Sequence, residues 1–211
     1  MPDEEVTMAR RKTKKVLQFY IELLEIKPKI WRRIQVPSTF SFWDLHSAIQ
    51  DSMGWQGCHL HAFRVELPHR KAVDIGVPDE EFDLTPMLPG REMKIADYFI
   101  EPGVEIPYDY DFGDGWEHRV LLEGIMIQED GVSYPRCMAG ERACPPDDCG
   151  GIPGYYELIE ALKDPKHPER RRLLNWLKGH SGNIYPYKPD RFDPEKVEFL
   201  DPETRWELEL L

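Results

Sequence analysis

The sequence predicts an α+β fold: a β-grasp-like hairpin–helix–strand unit, extended by a second β-hairpin and C-terminal helices. Three observations carry this. Period-two apolar alternation begins at Val16 and returns after a Lys-Pro-Lys turn, an amphipathic helix with both end signals follows at once, and a second, aromatic alternation around residues 108–120 precedes two stretches of helical period. With 211 residues the chain can bury one substantial core, so we expect a single domain over 16–211 behind a disordered tail at 1–15.

The tail switches from acidic to basic with almost nothing apolar. Its Arg10, Arg11, Lys12, Lys14 and Lys15 have the composition of a nucleic-acid arm, but short basic runs are unspecific and a solvated tail is the simpler reading. From Val16, Leu17, Phe19, Ile21 and Leu23 alternate with Gln18, Tyr20, Glu22 and Leu24, as one strand should. Residues 30–36 return with Ile30, Arg32, Ile34 and Val36 on one face and Trp31, Arg33 and Gln35 on the other, giving a hairpin over 16–37. Ser41 with Asp44 makes a capping-box pair, Phe40 and Leu45 occupy staple positions, and Gly54 supplies the stop. Phe42, Leu45, Ile49 and Met53 between them form one stripe, so residues 42–53 are helical.

"HLHAFRVEL" alternates as a third strand, in which Leu60, Ala62 and Val65 need a bulge to share a face. Residues 68–91 are rich in Pro, Gly and acid and read as a surface excursion, and 93–99 fits a short helix. Later segments at 155–162 and 168–179 are helical, the second with Pro168 near its start and Gly179 at its end, and a final helix starts near Pro202 after an Asp N-cap. There is no internal repeat, low-complexity tract or Gly-rich phosphate loop.

"YDYDFGDGWEH", residues 108–118, concentrates the chemistry. A three-residue loop, Gly113-Asp114-Gly115, with Gly115 left-handed, would set Phe112 opposite Trp116 and Tyr110 opposite His118 on a core face. Asp111 would then face Glu117, and Asp109 would face Arg119, on a solvated face. An EF-hand fails because residue 120, where the bidentate Glu should stand, is Val. Two facing carboxylates can raise one another's pKa or hold a divalent cation, so Asp111, Glu117 and His118 are the candidate catalytic residues, and Tyr110, Asp114, Trp116 and Arg119 the candidate binding residues.

"CMAGERACPPDDCGG", residues 137–151, gathers three of the four cysteines. Cys137, Cys144 and Cys149 with one imidazole would satisfy zinc, His118 being the fourth ligand we name and His59 and His61 the alternatives. The C-x6-C-x4-C spacing lacks the C-x2-C knuckle, so buried thiols in a Pro-Gly loop compete with a metal site. Asp147 and Asp148 follow a rigid Pro-Pro turn. If this loop lies over the 108–119 hairpin, thiols, acids and His118 converge on one cleft. Cys58 and His59, adjacent on a strand, point to opposite faces and make no nucleophile–base pair.

Composition limits the function classes. The charge balance of −12 repels phosphate backbones, leaving only the tail and the Arg170-Arg171-Arg172 face as basic surface. No apolar run approaches the ~20 residues needed to cross a bilayer, so no membrane is expected. The few unpaired cysteines and the charged N-terminus fit a cytoplasmic protein.

The stretches "KPKIWRRIQVP", "FWDLHSAIQDSMGW", "HLHAFRV", "YDYDFGDGWEHRV", "CMAGERACPPDDCGG", "YYELIEAL" and "RFDPEKV" together resemble the plasmid pRiA4b ORF-3-like proteins over residues 16–200. The resemblance implies a plasmid- or mobile-element-type accessory protein and assigns no reaction. Its shared features fall here on Trp31, Arg32, His46, Trp55, His59, Tyr110, Asp111, Gly113, Asp114, Trp116, His118, Cys137, Gly140, Cys144 and Pro146. The expected function is a binding or accessory module for a protein or nucleic-acid-associated partner, since no complete nucleophile, base and oxyanion set is visible. The alternative is a metal-dependent hydrolase or nuclease using the acids of residues 109–118.

Overall fold

The computed structural model describes residues 13–66, 72–78, 87–182 and 184–209. Residues 1–12 of the expected tail lie outside the described residues. Strand β1 (Lys15–Leu23) pairs antiparallel with β2 (Ile30–Pro37), as the alternation predicts, but it begins inside the expected tail: Lys15 lies opposite Ile127, and the Lys14 carbonyl accepts from Gln128 N. Helix α1 (Phe42–Met53) has the expected bounds: the Ser41 hydroxyl accepts from Asp44 N, the Asp44 carboxylate accepts from Ser41 N, and Gly54 closes the helix at φ 86°.

The remaining strands are β3 (His61–Val65), β4 (Val73–Gly76), β5 (Met87–Pro89), β6 (Glu105–Tyr110), β7 (Trp116–Ile127) and β8 (Arg136–Glu141). All eight form one sheet in the order β5-β4-β3-β6-β7-β1-β2-β8, antiparallel throughout except for β4 with β5. Helices α2 (Gly151–Lys163), α3 (Arg170–Gly179) and α4 (Pro202–Glu209) complete an α+β architecture. The β-grasp-like closure is not what the sheet adopts. In a β-grasp sheet the first strand lies parallel to its inner neighbour, whereas here β1 pairs antiparallel with β7 and the whole β6–β7 hairpin separates it from β3.

Two local readings change. The predicted surface excursion holds β4 and β5, which are short and gain their stability by pairing onto β3 rather than from a pattern of their own. In β3 no bulge is needed: His61, Phe63 and Val65 share the buried face, and Leu60 stands outside the strand, half exposed. The segment expected to be helical at 93–99 reduces to a 3-10 turn, Ile95–Asp97.

One sheet face packs under α1. Leu17, Phe19 and Ile21 of β1, Ile34 of β2, Tyr108 of β6 and Val120 of β7 meet Phe42, Leu45 and Ile49 in a continuous core. The opposite face is polar, with Glu123 receiving both Nε and Nη2 of Arg33 at 2.6 and 2.7 Å. Helices α2 and α3 make a smaller cluster of Leu158, Ala161, Leu173 and Leu177.

Candidate functional site

The second hairpin turns through five residues rather than three. Tyr110 pairs with Trp116, Asp109 with Glu117 and Tyr108 with His118, while Arg119 lies opposite Pro107. Asp111 therefore leaves the strand at φ 54°, a left-handed conformation that Asp tolerates better than most residues. Its Oδ1 accepts from Gly113 N at 3.0 Å and Asp114 N at 3.2 Å, and its carbonyl accepts from Gly115 N at 2.6 Å. Both pairings expected of the outer face are thus corrected. Glu117 faces Asp109, whose pKa is raised by burial and then by that neighbouring charge, and Arg119 pairs with Glu22 at 3.4 Å and Glu105 at 3.7 Å.

Beneath the loop lies a layer of buried rings. Trp55 stacks on Tyr110 with centroids 5.0 Å apart, and His46 stacks on His61 at 3.6 Å. The Tyr108 hydroxyl meets His46 Nδ1 and Gln50 Nε2, each at 2.8 Å. Burial makes protonation of these imidazoles costly, lowering His61 to about 3 and His118 to about 4, and holding His46 well below its usual range. His118 is thus a neutral core residue. Its neighbour Glu117 is exposed on the other face of β7, so the proposed catalytic set of Asp111, Glu117 and His118 does not converge. Nor do the four candidate binding residues share a surface: Tyr110 and Trp116 are core, Arg119 is on the outer face and Asp114 is in the loop.

The cysteine segment does lie over this hairpin, as its expected convergence requires. Trp55 Nε1 donates to Pro145 O at 2.8 Å, Gln56 N to Asp147 Oδ2 at 2.8 Å and Gly150 N to Asp114 Oδ2 at 3.1 Å. The Gly-Gly exit has a steric reason, because a Cβ on Gly151 would sit 2.5 Å from Asp114 O. The thiols do not gather, however. Cys144 is buried against Met53 Sδ at 3.2 Å and pushed up to about 12, while Cys137 and Cys149 are raised by burial and turn to the carbonyls of Ala139 and Gly151. With His118 remote as well, the four-ligand zinc set of Cys137, Cys144, Cys149 and His118 is not assembled among the described residues.

What converges instead is His59, Asp111 and Asp148. They are the one group of three or more His, Cys, Asp or Glu residues, among those described, whose ligand atoms all lie within 4.8 Å of one another. His59 Nε2 is 3.0 Å from Asp148 Oδ1 and 3.6 Å from Asp111 Oδ2. Asp148, like Asp111, is left-handed, at φ 58°. Asp111 is 8% exposed, and its Oδ2 turns to the cluster with no hydrogen bond from the described residues. Asp147 is already satisfied by Gln56 N and by the Tyr110 hydroxyl at 3.3 Å, and its pKa is raised by burial.

The cluster has two chemical uses: an imidazolium between two carboxylates, or a divalent cation held by one nitrogen and two oxygens. Sequence reasoning had all three residues in view but could not join them. Their positions, 59, 111 and 148, carry no spacing signal, and only the shared Pro-rich and Gly-rich loops hint at it.

The uncharacterised protein y4hQ of Sinorhizobium fredii (strain NBRC 101917 / NGR234) is 35% identical over 162 residues, 76% of this chain and 80% of that protein. The crystal structure of MM3350, a protein of unknown function from Methanosarcina mazei Go1, matches with a TM-score of 0.77 at 39% identity, covering 89% of this chain and 99% of that one. A profile of the plasmid pRiA4b ORF-3-like proteins matches residues 15–196, and the chain belongs to that family.

Proposed function

We propose that this chain is a cation-dependent binding module in which His59, Asp111 and Asp148 hold a divalent transition metal, zinc or manganese, that receives an oxygen ligand from a protein partner. The convergence of three chemically suitable ligand atoms from three distant segments carries this reading, supported by the left-handed backbone at both aspartates. One nitrogen and two carboxylate oxygens leave a position free, as open zinc sites do, and Asp148, with 62% of its side chain exposed, puts that position at the surface. Phe112 and Leu60, adjacent in sequence to Asp111 and His59, are 56% and 50% exposed and offer apolar contacts to a partner. The net charge of −12 weighs against nucleic acid as that partner.

A hydrolase would use the same three ligands and the same open position. The binding reading is favoured because Asp147, the acid next to Asp148 in the chain, is buried and already receives two hydrogen bonds, which leaves it poorly placed as a base.

Metal content and calorimetric titration with zinc and manganese test the proposal. One equivalent is expected to bind, and His59→Ala or Asp148→Asn should weaken binding by at least about tenfold. Cys137→Ser, Cys144→Ser and Cys149→Ser should keep their metal and lose only modest, unequal stability. Binding that survives in both cluster variants, or disappears in the cysteine variants, would reject the site.

A further inference from the structure

A separate cleft of about 740 Å³ opens between the C-terminal end of α1, residues 143–147 and the chain from His180 to Glu198. Arg32 lines it and is 1% exposed. Its alternation on β2 sets it among Ile30, Ile34 and Val36, on the face that would otherwise be wholly apolar. The guanidinium donates from Nε to Ser52 O at 2.7 Å and from Nη1 to Trp31 O at 2.8 Å and Glu141 O at 3.0 Å. The Phe192 ring covers one side, its centroid 3.6 Å from Cζ.

All these partners are neutral. Among the described residues no carboxylate forms an ion pair with Arg32, and Nη2 has no hydrogen-bond partner. The carbonyl end of α1 offsets part of the charge through its dipole, worth about half an elementary charge. Burial still disfavours the cation and lowers its pKa. A buried charge without a counter-ion is costly, and the cost is relieved when an anion arrives.

The acids around the cleft are mostly committed elsewhere. Asp51 pairs with Arg205 and accepts from Leu200 N, and Asp193 caps the 3-10 turn Pro194–Lys196 and pairs with Lys196. Asp147 is satisfied as described above, which leaves Glu198 exposed at the rim. Lys188 and Arg191 are also exposed at the rim and have no ion pair among the described residues. Three uncommitted cations therefore line one concavity in a chain whose overall charge is −12.

We propose that this cleft binds a small organic phosphate, whose phosphoryl oxygens reach Arg32 Nη2 while Lys188 and Arg191 neutralise the rest of its charge. Arginine presents several donors in a planar fork suited to phosphate, and three cations match a dianion better than a single carboxylate. The cleft is of small-molecule size, and Met53, Ile184 and Val197 give its walls apolar surface for the organic part.

The test titrates the full chain with inorganic phosphate and with AMP, in EDTA so that nothing binds through a metal at His59, and follows the thermal midpoint against sodium chloride of equal ionic strength. Phosphate and AMP should each raise the midpoint beyond the chloride control, with AMP effective at the lower concentration. Lys188→Ala/Arg191→Ala, which changes only exposed side chains, should weaken the apparent affinity by about tenfold. Arg32→Lys should abolish the response. A midpoint that follows ionic strength alone, or a phosphate response unchanged in the double variant, would overturn the proposal even if Arg32→Lys cannot be obtained folded.

Discussion

Asp111 shows how one backbone angle redirects the chemistry of this molecule. In a continued strand its carboxylate would alternate outward and face Glu117; at φ 54° it turns inward, caps its own loop with Oδ1 and presents Oδ2 to His59. Gly115 completes the turn at φ 70°, where an added Cβ meets nothing within 4 Å, so a substitution there is penalised by the backbone rather than by collision. Gly115→Val should therefore cost about 1–3 kcal/mol. Asp114→Ala removes the hydrogen bond from Gly150 N and should cost about 0.5–1.5 kcal/mol. Thermal midpoints check this: Gly115→Val is expected to melt below Asp114→Ala, and a wild-type midpoint in Gly115→Val would mean that the left-handed turn contributes nothing.

Among the elements, α1 and the second hairpin differ in how much of their geometry is local. The start, stop and apolar stripe of α1 are all encoded within Phe40–Gly54, and the structure reproduces both ends, while burial extends past the stripe to Trp43, His46 and Gln50. Ser41→Ala should remove the cap and cost about 1 kcal/mol, measurable as a lower denaturation midpoint in urea. Wild-type stability in that variant would show that tertiary contacts alone hold this end. The hairpin kept its faces but not its pairs. Its longer loop moves Tyr110 from His118 to Trp116, a slip of two residues, and an even slip leaves every paired side chain on its own face, whereas Phe112, expected opposite Trp116 on the core face, falls in the loop and is exposed. Tyr108, Tyr110, Trp116, His118 and Val120 are buried as expected, while the acid facing Glu117 changed.

Across the whole molecule, stability should depend on pH through the buried imidazoles. His61 and His118 titrate near 3 and 4 in the folded protein, below the usual 6.5, so between those values the unfolded chain binds more protons. Their contribution is full above about pH 6.5 and is lost as pH falls toward 4, with a slope approaching about 1.4 kcal/mol per pH unit for each histidine. The raised carboxylates of Asp51, Asp109 and Asp147 act in the opposite sense, favouring low pH. Urea midpoints at pH 7.5, 6 and 5 measure the balance, and His118→Gln should flatten the curve. A midpoint that rises on acidification would show that the carboxylates dominate.

The sequence by itself determined the α+β class, the first hairpin, α1 and the buried faces, because each rests on periodicity or end signals within about a dozen residues. It also singled out both loops that carry the candidate chemistry, since their Gly, Pro and Asp content is a local property. Tertiary structure decided the sheet order, which inserts β6 and β7 between β3 and β1, because strand partners chosen across the chain have no signature in either strand alone. It likewise decided the site: His59, Asp111 and Asp148 meet because hydrogen bonds from Trp55, Gln56 and Gly150 dock one loop onto another. A contact between positions 59, 111 and 148 is made by folding and leaves no period or spacing to read.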